Sequence, residues 1–338
     1  MVTGAPRRAA RVSPTPVPEP VVSITIVLHN SADHLEACLR SIADVLASGW
    51  AELIAVDNAS PDHSAAVVAR LAPDGLLLRS HENVGFAAGC ELARPHIRGR
   101  YWLLLNPDVE LAAGTVRALA ALLDALPAVA AVSPWLRTPD RATPEYPGHR
   151  FPSIALTLLE LTRAHRLLPR RLRARTLLGP YVSHGRGPVP EPDWIPGAAM
   201  LLRGASIEHV GGLDRSFFLY GEDLEWCWRA RAGGWRIAVA DALAIHRESS
   251  SSRSTWGSEQ LVADRIAAGI ARACANHRGR VYALAYAALT ALSLTLEARD
   301  PRRPGASRRA AATASRAWWR VLRPAAEPPM PDGLRPRR

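Results

Sequence analysis

The feature that most constrains the fold is an alternation of apolar strand-like runs and helical segments between Val21 and Leu105. The runs VVSITIVLHN, ELIAVDNAS and YWLLLN are β-branched or apolar, and each ends in polar residues. Runs that are apolar throughout are typical of strands buried on both faces of a parallel sheet. The alternation therefore predicts a doubly wound α/β sheet, in which ligands bind at the carboxyl ends of the strands.

Acidic side chains stand at two of these strand ends. Asp57 ends the second strand, and Asp108 and Glu110 follow the fourth. Two acids two residues apart can point the same way, which suits a Mg²⁺ or Mn²⁺ ion shared between carboxylates and a substrate diphosphate. A turn rich in Asn, Pro and Asp explains the same residues without a ligand. The residues alone leave both interpretations open.

A second acidic pair opens the segment GEDLEWCWRARAGGW. Glu222 and Asp223 follow a bulky apolar run with strand-like character and begin a helix that Gly233 ends. A carboxylate fixed at the start of a helix among aromatic residues can serve as a general base. Acids also favour helix N-termini because of the helix dipole. A single histidine after an apolar run, such as His246, is more often structural than a metal ligand.

The formal net charge of +11 over 338 residues indicates an anionic partner. Arginines concentrate near the two ends and between Arg163 and Arg175. The segment Ser153 to Leu178 has the pattern of a basic amphipathic helix, which either contacts anionic lipid or presents a solvated face. No helix-turn-helix, RRM or zinc-finger pattern occurs, so we expect no nucleic-acid partner. The four cysteines have no CxxC spacing and are expected to be free thiols.

The two ends of the chain differ from its middle. Residues 1–20 are rich in Pro, Arg and Ala and predict a disordered leader without a signal sequence. Two helices are expected over Glu259 to Asn276 and Val281 to Ala298, followed by a basic disordered tail after Asp300. The apolar run Val281 to Leu296 is shorter than the roughly 20 residues that span a bilayer, which leaves peripheral membrane contact open.

Taken in order, the motifs VDNAS, ENVGFAAGC, LLLNPDVE, WIPGAAMLLR and GGLDRSFFLYGEDLEWCWRARAGGW, with a downstream His246, resemble family 2 inverting glycosyltransferases of the GT-A fold. The rhamnosyltransferase-like branch is the most similar, and the resemblance covers roughly Val21 to Ser254. It implies a Rossmann-like, mostly parallel sheet flanked by helices, with a C-terminal helical extension. It also implies that Asp108, Glu110 and His246 bind Mg²⁺ or Mn²⁺, and that Asp223 is the catalytic base supported by Glu222.

The same resemblance assigns the remaining site residues. Asp57 corresponds to the acid that binds the pyrimidine ring of the nucleotide. Acceptor-binding positions are Trp194, Gly197 and Glu222. Donor-binding positions lie at the strand ends and in the loops after them: His29, Asn30, Asp57, Asn58, Asn83, Gly85, Asn106 and Asp108.

The function that follows is inverting transfer of a sugar, with L-rhamnose from dTDP-rhamnose as the best match, to a hydroxyl of a cell-envelope or polysaccharide acceptor. A polyprenyl diphosphate-linked sugar is one such acceptor. The alternatives are a galactofuranosyl or hexosaminyl transferase of the same fold, or a catalytically inactive sugar-binding relative. We expect a cytoplasmic protein, peripheral at the inner face of the plasma membrane.

The motifs also suggest a division of the chain. We expect a leader over 1–20, a nucleotide-sugar-binding half over 21–135 and a helical, basic insertion over 136–192. An acceptor-binding and catalytic half follows over 193–257. A helical extension with a basic disordered tail occupies 258–338.

Overall fold

The computed structural model describes residues 19–139, 146–178, 190–247 and 258–323. Its sheet has eight strands in the order β3-β2-β1-β4-β7-β6-β8-β5. The strands are β1 Val22–Leu28, β2 Ala51–Asn58, β3 Leu76–Ser80, β4 Tyr101–Leu105, β5 Val109–Leu111, β6 Val129–Arg137, β7 Ala199–Arg203 and β8 Arg236–His246.

Twelve helices of the described residues flank or extend this sheet. The first nine along the chain are α1 Ala32–Ser41, α2 Ala43–Ala47, α3 Ser64–Leu71, α4 Phe86–Ala93, α5 Thr115–Ala125, α6 Ile154–Leu161, α7 Arg170–Leu177, α8 Gly204–Val210 and α9 Glu222–Ala232. The C-terminal helices are α10 Glu259–Arg278, α11 Arg280–Arg299 and α12 Gly305–Val321.

The first four strands pair in parallel, as the alternating pattern predicts. The sheet then becomes mixed, because β7 is antiparallel to both β4 and β6, and β5 is antiparallel to β8. Strand β8 returns to a parallel pairing with β6. The predicted class, a mostly parallel α/β sheet with a C-terminal helical region, is confirmed.

Both faces of the sheet are covered, which explains why its strands are apolar throughout. Alternate residues of β4 enter the two cores: Tyr101, Leu103 and Leu105 face one, and Trp102 and Leu104 face the other. A buried polar contact joins the neighbouring strands β1 and β4, since the indole N–H of Trp102 donates to the Thr25 hydroxyl at 2.8 Å. All seven residues of β1 are buried, so this strand forms the centre of the fold.

Three local expectations were wrong. The basic helix expected from Ser153 to Leu178 is broken into α6, a 3₁₀ turn over Ala164–Leu167 and α7. Arg163 takes a left-handed φ of 58° at the first break, and Pro169 precedes α7, where its missing N–H is tolerated. The apolar run from Phe217 to Tyr220 is an irregular loop and not a strand.

The tail provides the third correction. Part of the tail expected to be disordered forms α12, whose Trp318 packs beside Ala287 and Ala291 of α11. Tertiary packing therefore orders a segment whose composition alone indicates disorder. Residues 1–18, the serine-rich segment 248–257 and residues 324–338 lie outside the described residues.

Candidate active site

Loops at the carboxyl ends of β1 and β2 are bound to each other. The ring Nδ1 of His29 lies 3.0 Å from the backbone oxygen of Asn58. The N–H of Asn30 donates to the Ser60 hydroxyl at 2.8 Å, and Asp57 accepts from the N–H of Ser60 at 2.9 Å. Asn30 has a left-handed φ of 53°, a conformation that asparagine adopts more readily than most residues. The predicted donor residues of these two strands thus share one edge of the sheet.

The buried amide of Asn58 fixes the loop that follows β3. Its Nδ2 donates to the side-chain oxygen of Asn83 at 2.9 Å and to the backbone oxygen of Gly85 at 3.1 Å, while its Oδ1 accepts from Val84. Gly85 has a φ of 85°, and a Cβ there would lie 2.3 Å from the backbone oxygen of Phe218. Asn58, Asn83 and Gly85 therefore hold the loop in place, and their contact with a donor stays a prediction.

Helix α9 begins at the acidic pair, as the sequence predicts. The chain reaches it through two left-handed residues, Tyr220 at φ 69° and Gly221 at φ 95°. Asp223 accepts two backbone hydrogen bonds, from Gly197 at 2.9 Å and from Leu224 at 2.7 Å. Each carboxylate oxygen holds one N–H and retains acceptor capacity for a substrate hydroxyl.

The turn after β4 and the start of α9 both form hydrogen bonds with the short segment before β7. Gly197 donates to Asp223, and the next residue, Ala198, accepts from the N–H of Asn106 at 2.9 Å. Beyond Asn106, the Oδ1 of Asp108 lies 3.5 Å from the Nε2 of His246. Carboxylates far apart in the sequence are thereby brought to one side of the molecule.

A cleft of about 410 Å³ opens at this place. Its lining includes three of the predicted site residues, Trp194, Asp223 and His246, together with Tyr146 and His149, which sequence reasoning missed. Leu224 of α9 and Ile266 and Ile270 of α10 supply an apolar wall. Acidic, imidazole and aromatic groups on apolar walls are typical of a small-molecule site.

His149 forms a platform with Trp194. The two rings stack with centroids 4.7 Å apart and planes at 25°, and backbone hydrogen bonds pair their chain segments. Burial lowers the pKa of His149 to about 4. The imidazole is therefore neutral at pH 7 and offers the cleft an uncharged aromatic surface. His149 precedes Phe151 in a proline-rich stretch without periodicity, so the sequence carried no clear signal for it.

The environment of Asp223 makes it a stronger base than an exposed aspartate. Burial raises the pKa of Asp223, while the hydrogen bonds from Gly197 and Leu224 oppose that rise by stabilising the charged form. Burial and the charge of Asp223 raise the pKa of Glu222 well above its ordinary value.

The two adjacent acids have different surroundings. Asp223 lines the cleft, whereas Glu222 is buried. Among the described residues, none is hydrogen-bonded to the Oε2 of Glu222. The supporting and acceptor-binding roles of Glu222 stay predictions.

Asp108 and His246 are the side chains best arranged to hold a divalent cation. A buried carboxylate and an imidazole converge within 3.5 Å at the cleft, and such oxygen and nitrogen ligands suit Mn²⁺ or Mg²⁺. Glu110 is paired with Arg247 at 2.5 Å, so its predicted role as a ligand competes with an ion pair. Within the described ranges, no group of three His, Cys, Asp or Glu side chains is placed to hold a metal.

A second, larger cavity of about 890 Å³ lies between the Ser216–Tyr220 loop and helices α10 and α12. Tyr220 lines both cavities, but none of the predicted site residues lines the larger one. The smaller cleft is therefore the candidate active site, because it contains the converging acid, imidazole and aromatic groups.

Residues 23–186 match the sequence model of glycosyl transferase family 2. The chain carries a family 2 glycosyltransferase domain. Asp57 and Asp108 of this glycosyltransferase lie within the matched residues, whereas Trp194, Asp223 and His246 follow them.

Curated relatives of the glycosyltransferase include sugar transferases of two kinds. It is 26% identical over 258 residues to the N-acetylglucosaminyl-diphospho-decaprenol L-rhamnosyltransferase of Mycobacterium tuberculosis, covering 69% of this chain and 77% of the relative. It is 25% identical over 252 residues to the low-salt glycan biosynthesis hexosyltransferase Agl10 of Haloferax volcanii, covering 72% of each chain.

The fold is shared with a solved structure. The mannosyltransferase PcManGT from Pyrobaculum calidifontis, solved in complex with GDP-Man and Mn²⁺, superposes with a TM-score of 0.52 at 19% identity, covering 94% of this chain and 88% of that one. The glycosyltransferase thus has the GT-A fold that the motifs predict.

Proposed function

We propose that this glycosyltransferase transfers L-rhamnose from dTDP-rhamnose, with inversion, to a hydroxyl of a lipid-linked sugar of the cell envelope. The main support is the carboxylate of Asp223, which two backbone N–H groups hold in the cleft that His246 also lines. The similarity to a mycobacterial rhamnosyltransferase whose name specifies a diphospho-decaprenol acceptor favours this donor and this kind of acceptor.

In this mechanism Asp223 accepts the proton of the acceptor hydroxyl. The hydroxyl oxygen attacks the anomeric carbon from the face opposite the nucleotide, and the bond to the diphosphate breaks with its electron pair leaving on the phosphate oxygen. Inversion follows from a single displacement, and no second catalytic carboxylate is needed. Burial helps Asp223, because a raised pKa makes the carboxylate a better proton acceptor.

Asp108 and His246 are the residues that would hold Mg²⁺ or Mn²⁺ in this glycosyltransferase. A bound divalent cation neutralises negative charge on a leaving diphosphate. The stacked rings of Trp194 and His149 would pack against the acceptor sugar on the other side of the cleft. Acceptor and donor would then meet at Asp223.

We further propose that the protein works in the cytoplasm, peripheral at the inner face of the plasma membrane. A lipid-linked acceptor is confined to a membrane, whereas a nucleotide sugar is a soluble donor. The excess of arginine, with a formal net charge of +11, favours attraction to an anionic leaflet.

A donor screen tests the proposal directly. Thermal unfolding is measured with dTDP-rhamnose, UDP-galactofuranose, UDP-N-acetylglucosamine and GDP-mannose, each with and without Mn²⁺. We expect dTDP-rhamnose to raise the Tm most, and only with metal, because saturating ligand at about 100 times its Kd adds roughly 2.7 kcal/mol to stability. Asp108→Asn should lose the metal-dependent part of the shift.

Other results of the screen would redirect the assignment. A larger shift with UDP-galactofuranose or UDP-N-acetylglucosamine would replace rhamnose by the corresponding alternative sugar. Donor binding without any transfer to lipid-linked N-acetylglucosamine or to soluble acceptor sugars would favour a sugar-binding relative without catalysis. No shift with any nucleotide sugar would refute the proposed function.

A further inference from the structure

Helix α11 has two apolar faces, and only one of them is covered by the protein. Its small residues Ala283, Ala287 and Ala291 are buried against the neighbouring helices. Large aliphatic residues point the other way, with exposed fractions of 83% at Val281, 47% at Leu284, 42% at Leu292 and 51% at Leu296. Spacings of three, eight and four residues put these four side chains on one stripe of the helix. We call this set the α11 stripe.

The α11 stripe cannot turn inward, because the opposite face is fixed. The hydroxyls of Thr295 and Ser315 are 2.7 Å apart, and Ser315 also donates to the backbone oxygen of Ala291 at 3.2 Å. The ring of Trp318 meets Tyr286 edge-on with centroids 5.5 Å apart. Four large aliphatic side chains therefore remain in water unless another apolar phase covers them.

Positive charge surrounds the α11 stripe. The segment Val281 to Leu296 contains no charged residue, whereas Arg278 and Arg280 precede it and Arg299, Arg302 and Arg303 follow it. The two acids at its C-terminal end are neutralised: Glu297 pairs with Arg303 at 3.1 Å, and Asp300 pairs with Arg163 at 2.8 Å. An uncharged apolar strip with arginines at both ends complements a surface that has anionic groups around an apolar interior.

Helix α6 lies beside α11, and the chain that follows α6 extends the positively charged surface around the α11 stripe. The Tyr282 hydroxyl donates to the backbone oxygen of Pro152 and accepts from the N–H of Ile154, and the Arg163 to Asp300 pair joins the other ends of the two helices. From Arg163 to Leu178 the chain has six arginines and no acid. Trp319, whose indole N–H donates to Thr295 at 3.2 Å, adds a half-exposed aromatic ring.

We infer that the α11 stripe is a docking surface for an anionic lipid bilayer, with α11 lying in the plane of the headgroups. By length and composition α11 is able to cross a membrane, but its alanine face is bound to α12, which carries Arg308, Arg309, Arg316 and Arg320. Burying that charged helix in hydrocarbon is costly. An interfacial position immerses the stripe and leaves the arginines at the phosphates.

A second copy of the chain fits the α11 stripe less well than an anionic bilayer does. A twofold contact through the α11 stripe would place the same arginine-rich ends of both copies against each other. Like charges brought together across an interface oppose association. Anionic lipid instead supplies the opposite charge and the apolar phase together.

The docking surface rests on the peripheral membrane location proposed above and shows how it would be achieved, but it does not depend on which sugar is transferred. Helix α10 separates it from the cleft, since Ile266 and Ile270 of α10 line the cleft while Ala267 and Ala271 pack with α11. Docking and catalysis can therefore be measured separately.

Vesicle sedimentation tests the inference with the whole protein. Wild type is compared with a variant carrying Val281→Ser, Leu284→Ser, Leu292→Ser and Leu296→Ser, and with the control Leu76→Ser, which changes a residue 41% exposed on the edge strand β3. On mixed phosphatidylcholine and phosphatidylglycerol vesicles, we expect the fourfold variant to lose at least about tenfold in partitioning, because four aliphatic side chains no longer enter the bilayer. The control should partition like wild type.

The charge part is tested with Arg280→Gln, Arg299→Gln and Arg302→Gln. Each should weaken partitioning roughly fivefold on the anionic vesicles and have little effect on pure phosphatidylcholine. Added salt should weaken the wild type in the same way. Thermal unfolding of the serine and glutamine variants should match wild type, because the changed side chains are exposed.

Two outcomes would overturn the inference. One is a fourfold serine variant that stays folded and sediments with anionic vesicles as well as wild type. The other is a wild-type protein that does not sediment with vesicles but forms a dimer in analytical ultracentrifugation, when the serine variant forms no dimer. Failure of the glycosyl transfer proposal is distinct, since it would leave vesicle binding intact while no donor is turned over.

Discussion

The carboxylate of Asp223 combines burial with two backbone hydrogen bonds, and this combination suits a base. Asp223→Asn keeps the shape and one of the two N–H partners, because only the amide oxygen can accept, and it removes the proton acceptor. We expect kcat to fall by about 10²- to 10⁴-fold, with little change in the Kd for the nucleotide sugar measured by calorimetry. The split between turnover and binding follows because Asp223 faces the acceptor hydroxyl in the proposed mechanism.

The control for this variant is Asp74→Asn, an exposed aspartate away from the cleft, which should retain wild-type turnover. Equal loss of donor binding and turnover in Asp223→Asn would mean that the residue holds the donor. Full turnover would remove Asp223 from the mechanism.

Glu222 gives a prediction about pH. Burial and the neighbouring Asp223 raise the pKa of Glu222 in the folded protein, whereas the unfolded chain has a pKa of about 4.3. Above that unfolded value the folded state holds a proton that the unfolded state has lost, so wild-type stability falls as pH rises. Glu222→Gln removes this dependence. The variant should be more stable than wild type near pH 7 and equal to it near the unfolded pKa.

Denaturant unfolding of both proteins across this pH range measures the effect. A constant difference in the free energy of unfolding at every pH would show that Glu222 is not protonated preferentially in the folded state. Asp241→Asn, an exposed acid in β8, is the matched control and should follow the wild-type curve.

Single residues were predictable where the chemistry is local. The positions of the acids at two strand ends and one helix start were predictable because Asp57, Asp108 and Asp223 each lie at a boundary that periodicity marks. The neutral platform of His149 was not, because its burial arises from stacking on Trp194 across the fold. Likewise, the engagement of Glu110 with Arg247 depends on the pairing of β5 with β8, which the sequence does not reveal.

At the scale of elements, a close backbone contact joins α10 to the loop before α9. A Cβ at Gly269 would lie 2.2 Å from the backbone oxygen of Tyr220, and one at Gly221 would lie 2.7 Å from the backbone of Gly269. Gly269→Ala should therefore push α10 away from the loop that positions Asp223. We expect a loss of about 1 to 3 kcal/mol in unfolding free energy and a lower kcat.

Gly305→Ala is the matched control on α12, where the nearest atom to a new Cβ is the end of Arg309 at 3.6 Å. That change should be neutral or slightly stabilising, because alanine favours helix. If both variants unfold alike by denaturant titration, the close approach of α10 to the loop is not rigid.

Elements with a strong period were predicted well, and those shaped by tertiary contact were not. Strand β1 and helices α9 and α10 follow their apolar patterns. The sequence of the loop before α9 indicates a strand because it is apolar, but the burial of Phe217 comes from packing against α10 and α11. The sequence of α12 is typical of a disordered segment because it is rich in small residues and arginine. Its composition does not show that Trp318 packs against α11 and anchors the helix.

The whole molecule has a core that joins α9, which carries Asp223, to the C-terminal helices. Phe151, Trp228 and His277 form a continuous stack, with centroids 4.4 Å and 4.9 Å apart, between α9 and α10. Glu225 holds Arg229 through both carboxylate oxygens and lies 3.3 Å from the Nε2 of His277. The sequence predicted a separate extension over 258–338, but it could not reveal this shared packing, because contacts between distant segments leave no periodic trace.

This shared core makes α12 part of the folded unit, contrary to the disorder expected for this part of the chain after Asp300. Trp318 is 6% exposed and packs against α11, whereas the adjacent Trp319 is 43% exposed. Trp318→Ala should cost about 3 to 5 kcal/mol of unfolding free energy, and Trp319→Ala less than about 1 kcal/mol. Helix α10 packs against both α9 and α12. Thermal unfolding followed by circular dichroism should therefore show a single transition, and bound donor should raise the Tm of that whole transition. Two separate transitions, with donor binding surviving the first, would mean that the C-terminal helices unfold independently of the cleft.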